Sequence, residues 1–114
     1  YMPEAGYVDG TETKIPLGFA AAIPKGYVGL LLPRSGVGAK HGLELNNTCG
    51  VIDSDYRGEW VAVMRTKSGN EFCWQAKDRI LQCVLVPVLS PTLEKVENLN
   101  ATDRGEGGFG SSGK

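Results

Sequence analysis

Glycines and prolines interrupt the sequence every few residues, and this spacing limits which secondary structure can form. The 114 residues include 16 glycines and 6 prolines, and no apolar period of 3.6 residues continues between them for long enough to predict a substantial helix. Short apolar and β-branched runs bounded by turn residues remain, a pattern typical of a β-sandwich or β-barrel. We therefore predict an all-β fold in one domain, because a chain of this length builds a single core.

The predicted strands are short, and each ends at a turn signal. Pro87 places the last strand at a sheet edge or a bulge, because proline cannot donate to a strand ladder. The uncharged run from Ile80 to Leu93 is too short for a membrane helix and is predicted to be a buried strand. The predicted strands are Thr13–Ile15, Phe19–Ile23, Tyr27–Leu32, Trp60–Arg65, Asn70–Gln75 and Ile80–Leu89.

The stretch Gly50–Glu59 has a dense set of chemically active side chains. Asp53, Asp55, Tyr56 and Arg57 stand between two glycines, after an apolar pair and before a β-prone run. This order predicts a hairpin: a strand, a tight polar turn and a second strand. A turn that only reverses the chain needs no tyrosine or arginine, so a functional loop is favoured over a purely structural turn.

A short helix is predicted within residues 33–42. Ser35 suits the N-cap, Lys40 and His41 suit the last turn, and Gly42 suits the position after the helix. Arg34 and Ser35 at the helix N-terminus indicate a small anion-binding cradle. A capped surface helix with a solvated arginine is the structural alternative.

The last eleven residues, 104–114, are rich in glycine and serine. They contain a G-x-G-x-x-G pattern but follow no βα unit, which excludes a dinucleotide site, and no lysine precedes Ser111 as a P-loop requires. A flexible tail is one interpretation. The other is a mobile flap in which Arg104 and Phe109 close over an aromatic, phosphate-bearing ligand.

Charge and cysteine content exclude several classes of protein. A net charge of −1, from 12 basic and 13 acidic side chains, disfavours non-specific nucleic-acid binding. Three cysteines without C-x-x-C spacing and one histidine argue against a disulfide framework or a transition-metal site. Mg²⁺ is the expected cation. No signal segment stands at the start, so we expect an intracellular protein of a bacterial or phage-host cytoplasm.

Four blocks of the sequence resemble the motifs of the trimeric dUTPase family, in that family's order, from about Ile15 onward. The blocks are Pro33-Arg34-Ser35-Gly36, residues 50–59, Asp78-Arg79-Ile80-Leu81-Gln82 and residues 104–113. The resemblance implies hydrolysis of dUTP to dUMP and pyrophosphate, which keeps uracil out of DNA and supplies dUMP for thymidylate synthesis. It also implies a jelly-roll-like β-barrel with one short helix over residues 1–103, a Gly-rich flap over 104–114 and a homotrimer whose active sites draw on three chains.

The family's first motif, Ala-Gly-x-Asp-Leu, has no proper match. Ala5-Gly6-Tyr7-Val8-Asp9 imitates it, but its aspartate is displaced by one residue and it stands too close to Ile15-Pro16-Leu17-Gly18. We expect the entry strand and the first motif to precede Tyr1.

The resemblance assigns catalytic roles to Asp53, Gln82 and Arg104. Asp53 matches the base that activates a water molecule, which suits a carboxylate ionised at pH 7. Gln82 matches a residue near that water and the α-phosphate. Arg104 would hold the terminal phosphates in the manner of an arginine finger.

The remaining matches are implied substrate contacts. Tyr56 would lie under the deoxyribose and leave no room for a 2′-hydroxyl. Asn47 and the neighbouring hairpin backbone would read the uracil edge, although Asn47 could be an ordinary turn residue. Mg²⁺ would be held by the phosphates, with no direct ligand assigned in the chain. The implied substrate-binding residues are Arg34, Ser35, Gly36, Asn47, Gly50, Ile52, Tyr56, Phe109, Gly110 and Ser111.

Two alternative functions stay open on the sequence. A dCTP deaminase of the same fold would need a glutamate placed for deamination and a different hairpin sequence. A dUTPase-like module that senses nucleotide and binds a regulatory protein partner is the second alternative, favoured only by the mismatch at the first motif.

Overall fold

The structure is a computed structural model that describes residues 1–110, and these residues form eight strands and one short helix. The strands are β1 (Gly6–Val8), β2 (Thr13–Pro16), β3 (Tyr27–Pro33), β4 (Leu43–Leu45), β5 (Gly50–Ile52), β6 (Val61–Thr66), β7 (Phe72–Trp74) and β8 (Leu81–Pro87), and the helix is α1 (Ser35–His41). The predicted all-β class with one short helix is confirmed. No helix within the described range is long and apolar enough to cross a membrane.

The strands form three antiparallel sheets around one core. The strand orders are β1-β7, β2-β6-β4 and β5-β3-β8. Alternate side chains on β-strands point to the same face, so each sheet contributes one apolar face to the core. The buried cluster contains Met2, Val8, Leu17, Ile23, Leu31, Leu43, Leu45, Trp60, Ala62, Met64, Trp74 and Ile80.

Strand β3 is the central element for the candidate site, because it pairs with β5 on one side and with β8 on the other. Gly29 lies opposite Ile52 of β5, and Leu32 lies opposite Gln82 of β8. Gly50 allows β5 to approach closely, since a Cβ there would stand 3.0 Å from the Cβ of Leu31. The register of β3 therefore fixes where the loop after β5 and the start of β8 lie.

The predicted hairpin at residues 50–59 is wrong. Strand β5 pairs with β3, whereas β6 pairs with β2 and β4 in another sheet. Residues 53–60 are thus a connection between two sheets. Their length agrees with this, because hairpin turns usually contain about two to five residues.

One further predicted strand is absent, and two observed strands were not predicted. Phe19–Ile23 forms no strand, although the Phe19 carbonyl accepts a hydrogen bond of 2.9 Å from the Trp60 N–H. A glycine with a φ of +81°, Gly18, and a proline, Pro24, bound this segment on its two sides. Strands β1 and β4, of three residues each, were not predicted because such short segments show no clear alternation.

The predicted buried strand over Ile80–Leu93 is also wrong in part. Strand β8 ends at Pro87, and most of its side chains are exposed. It is an edge strand of its sheet, as Pro87 predicted. Residues 88–103, which we call the apolar arm, form no helix or strand and expose Leu89, Leu93 and Leu99 at 92%, 92% and 88%.

The helix begins one residue earlier than it would if Ser35 were the N-cap. Arg34 occupies the cap position with extended backbone angles and makes no side-chain cap, and Ser35 is the first helical residue. The other end is as predicted: Lys40 and His41 form the last turn, and Gly42 has a φ of +65° and donates to Gly38.

Candidate active site

Asp53 and Tyr56 lie together in the loop that follows β5. Asp53 is the first residue after the strand, and the Tyr56 N–H donates to its carbonyl oxygen at 3.2 Å. Their side chains line one surface pocket of about 170 Å³, with Ile52 and Trp60 in its wall. The predicted base and the predicted sugar contact therefore share a pocket in a single chain.

The ring of Tyr56 is fixed by two neighbours that the sequence did not single out. Its hydroxyl donates to the Glu59 carbonyl oxygen at 2.8 Å. The ring lies against Gly58, where a Cβ would come within 2.5 Å of the Tyr56 oxygen and 2.7 Å of Cζ. A glycine directly after Tyr-Arg in a functional loop is the sequence signal that indicates such a close approach.

A second group of predicted residues lies at the start of α1. The Arg34 N–H donates to the Ile80 carbonyl at 3.0 Å, and its guanidinium Nη1 donates to the Arg79 carbonyl at 3.1 Å. Gln82 donates through Nε2 to the Pro33 carbonyl at 3.2 Å. The structure thus brings Gln82 together with the Arg34-Ser35-Gly36 segment, and all four of these residues are exposed.

The two groups lie apart within one chain. Asp53 follows Ile52 and so stands level with Val28, whereas Gln82 stands level with Leu32. Asp53 and Gln82 are thus four residues apart along β3, which corresponds to about 13 Å. They also lie on opposite sides of β3, which separates them by about 10 Å across the sheet. A single chain therefore does not place Asp53 beside Gln82.

Asn47 lies in the turn between β4 and β5. The turn is closed by the Thr48 N–H, which donates to the Leu45 carbonyl at 2.9 Å, and Cys49 donates to the Asn47 carbonyl at 2.7 Å. The Asn47 side chain is exposed, while Gly50 and Ile52 follow on β5. Asn47 and Asp53 thus stand at opposite ends of this short strand.

The described part of the Gly-rich tail folds on itself. Arg104 Nε donates to the Gly107 carbonyl at 2.6 Å, and the Gly105 N–H donates to the Thr102 hydroxyl at 3.0 Å. Phe109 is fully exposed and has a φ of +50°. Gly110 is the last described residue, and Ser111 lies outside the described residues.

The thiols of Cys83 and Cys73 do not offer an ionised nucleophile. Burial raises the pKa of the Cys83 thiol, next to Gln82, although a backbone hydrogen bond from Leu30 acts in the opposite direction. A hydrogen bond with the Glu71 carboxylate raises the pKa of the exposed Cys73 thiol. Since the thiolate is the reactive form, both cysteines are poor nucleophiles at neutral pH.

The described residues form no cage of side chains for a metal ion. Within residues 1–110, no three His, Cys, Asp or Glu side chains gather into a metal-binding group. Mg²⁺ commonly uses one or two carboxylates plus substrate phosphates and water in place of an all-protein cage.

Comparisons with known proteins agree on one family. A family model described as dUTPase matches residues 5–113, so the match begins ten residues before Ile15. The deoxyuridine 5'-triphosphate nucleotidohydrolase of Syntrophotalea carbinolica is 48% identical over 104 residues, which cover 91% of this chain and 71% of that protein.

Two solved structures also resemble the chain. A variant of the Staphylococcus bacteriophage 80alpha dUTPase with dUpNHpp has a TM-score of 0.84 and 30% identity, and the alignment covers 97% of this chain and 82% of that one. A mutant dUTPase from phage phi11 of S. aureus, described with a structural Mg(II) ion, has a TM-score of 0.73 and 26% identity over 83% of this chain and 78% of that one.

Proposed function

The chain belongs to the dUTPase family, whose reaction is the hydrolysis of dUTP to dUMP and pyrophosphate, and we propose that Asp53 is the general base of that reaction. Asp53 takes a proton from a water molecule as the water oxygen attacks the α-phosphorus. The bond from that phosphorus to the oxygen bridging the α- and β-phosphates then breaks, and pyrophosphate leaves. General-base assistance of this kind contributes about 10²- to 10⁴-fold.

Arg34, Ser35, Gly36 and Gln82 bind the phosphates in this proposal. Backbone carbonyls hold one guanidinium nitrogen of Arg34 and the amide nitrogen of Gln82. Arg34 keeps further N–H donors on its fork for a phosphate, and the carboxamide oxygen of Gln82 remains to accept from the attacking water. Arg34 and Gln82 both bond to the backbone where β3 ends and β8 begins, and this proximity supports a common role in phosphate binding.

The nucleoside occupies the pocket of Tyr56 in this proposal. The fixed ring of Tyr56 fills the space that a 2′-hydroxyl would need, and this excludes UTP. Asn47 and the β5 backbone at Gly50 and Ile52 read the uracil edge and leave no room for the methyl group of thymine. An amide side chain suits the mixed donors and acceptors of uracil.

The observation that carries the proposal of a shared site is the separation of Asp53 from Gln82 in one chain. Two chains that face each other across β5 and β8 could join the two groups, and a homotrimer provides this contact three times. The exposed faces of β8 and the apolar arm are surfaces that such an assembly would cover. The Cα radius of gyration, 18.9 Å, exceeds the roughly 13 Å of a compact chain of this size, which agrees with an extended arm.

The tail closes over the bound nucleotide in this proposal. Phe109 stacks on the uracil, a contact worth about 1 to 3 kcal/mol by analogy with other base–aromatic pairs. Arg104, Gly110 and Ser111 contact the phosphates. The full exposure of Phe109 supports this role, because a phenylalanine in water gains by covering a base.

Mg²⁺ is proposed as the cofactor, held chiefly by the three phosphates. When bound it neutralises phosphate charge and orients the chain of phosphates. On the same substrate Asp53 takes the proton from water, Arg34 binds a phosphate and Gln82 contacts the attacking water.

Pyrophosphate release measured with dUTP, dTTP, dCTP and UTP tests this function. We expect efficient release from dUTP alone, because the pocket excludes a 5-methyl group and a 2′-hydroxyl. Ammonia release from dCTP, measured in parallel, would indicate the deaminase alternative. Equal rates with UTP and dUTP would contradict the role of Tyr56.

A further inference from the structure

Glu59 connects the loop of Tyr56 to a distant part of the chain. Its carboxylate Oε2 accepts a hydrogen bond of 3.0 Å from the Gly18 N–H, 41 residues away in sequence. Its own carbonyl oxygen accepts the hydroxyl of Tyr56 at 2.8 Å. One residue therefore holds the tyrosine through its backbone and is itself held through its side chain.

The segment Leu17–Phe19 is well placed to serve as an anchor. The Trp60 N–H donates to the Phe19 carbonyl, and the Leu17 N–H donates to the Trp60 carbonyl, both at 2.9 Å. The Phe19 and Trp60 rings lie 4.9 Å apart. These contacts hold Trp60, the residue after Glu59. The hydrogen bond between the Glu59 carboxylate and the Gly18 N–H holds Glu59 itself.

The anchored peptide leaves the tyrosine little freedom. The ring lies against Gly58 on one side, and its hydroxyl is engaged by Glu59 at its tip. Rotation away from this position would break the hydroxyl bond.

We propose that Glu59 is a positioning residue that sets the discrimination between deoxyribose and ribose by holding Tyr56 in place. This inference rests on the proposed function, in which Tyr56 occupies the space of a 2′-hydroxyl. Glu59 touches neither the substrate nor the reacting atoms. The Glu59 side chain therefore affects the choice of sugar. Without it the Tyr56 ring can move aside and no longer blocks the 2′-hydroxyl, so the enzyme accepts UTP more readily.

The test compares kcat/KM for dUTP with kcat/KM for UTP in purified full-length variants. Glu59→Ala is expected to lower this ratio about five- to tenfold, the size of one lost hydrogen bond. Glu59→Gln keeps an oxygen that can accept from Gly18, so its ratio is expected to stay near that of the parent protein. A purely structural role would lower both kcat/KM values by the same factor and leave the ratio unchanged.

Two further variants keep the test decisive. Glu44→Ala removes a partly exposed acid that pairs with Arg65 at 2.9 Å elsewhere on the surface, and it should leave the ratio unchanged. Tyr56→Phe removes the hydrogen bond that the tyrosine hydroxyl donates to the Glu59 backbone carbonyl, and it should lower the ratio several-fold even if Glu59→Ala fails to fold. In the double variant the two losses should not add, because without the Tyr56 hydroxyl the position of the Glu59 carbonyl no longer holds the ring.

Failure of the inference and failure of the proposed function give different results. If Tyr56→Ala lowers the ratio but Glu59→Ala and Tyr56→Phe do not, Tyr56 keeps its role and the positioning role of Glu59 is overturned. If Tyr56→Ala leaves the ratio unchanged, the assignment of Tyr56 to the sugar is overturned, and the role of Glu59 with it.

Discussion

At the scale of single residues, the loop after β5 separates two aspartates that look alike in the sequence. Asp53 directly follows the strand and lines the pocket with Tyr56. Asp55 lies two residues further on, in the turn that Arg57 braces by donating to the Ser54 and Tyr56 carbonyls at 2.8 and 3.2 Å. Their different positions predict different chemical roles.

Asp53→Asn is expected to lower kcat at least about a hundredfold while leaving dUTP binding nearly unchanged, because the amide cannot take the proton but keeps the size of the side chain. Pyrophosphate release gives the rate, and titration calorimetry with a non-hydrolysable analogue gives the affinity. Asp55→Asn is the matched control and should change kcat only slightly. Unimpaired turnover in Asp53→Asn would remove the assignment of the base.

The sequence singled out Tyr56 because a turn has no need of a tyrosine, but it did not identify Glu59 or Gly58. The partner of Glu59 is the backbone N–H of Gly18, 41 residues earlier. No local pattern contains a contact of that kind, because any residue type except proline carries an N–H. The supporting residues of the site therefore required the structure.

At the scale of secondary-structure elements, tertiary contacts determine where the helix begins and which strands pair, and local propensity does not predict either. Ser35 has the better side chain for an N-cap, yet Arg34 holds that position because its N–H pairs with the Ile80 carbonyl at 3.0 Å. The same principle explains the incorrect hairpin: a turn-rich segment between two strands does not reveal whether those strands share a sheet. The helix end at Gly42 was predictable because its positive φ depends on the residue itself.

Two glycines of α1 provide a matched pair of tests. A Cβ at Gly36 would meet no atom within 4 Å, and a Cβ at Gly38 would make ordinary contacts of 3.5 Å or more. Both alanine substitutions should raise the free energy of unfolding, by up to about 1 kcal/mol each, because glycine is the more flexible residue in the unfolded chain.

Only Gly36→Ala should reduce kcat/KM, since its methyl group would stand where the proposed phosphate site needs room. Thermal or urea unfolding and pyrophosphate release measure the two effects separately. Full activity in both variants would place the phosphates away from Gly36.

At the scale of the whole molecule, the error over Ile80–Leu93 is informative. Its apolar composition predicted burial, yet most of β8 and the apolar arm are exposed in a single chain. Composition indicates that such a segment favours removal from water, but it does not indicate whether the covering surface belongs to the same chain or to another. The all-β class was predictable from the sequence, whereas the exposure of β8 and the apolar arm in a single chain was not.

Mixing two inactive variants tests whether chains share a site. Asp53→Asn and Gln82→Ala should each be nearly inactive alone. After joint unfolding and refolding, sites that take Asp53 from one chain and Gln82 from another should restore up to about one quarter of the parent activity, by random assortment among symmetric subunits. If each chain formed its own complete site, the mixture would stay as inactive as its components.

The apolar arm predicts that the stability of this protein depends on its concentration. Burying a leucine side chain is worth about 1.5 to 3 kcal/mol, and Leu89, Leu93 and Leu99 are almost fully exposed in the isolated chain. If self-association covers them, mass action links folding to concentration, and the melting temperature should rise on concentrating the sample. Strong dilution should then inactivate the enzyme by dissociation, before the individual chains lose their sheets.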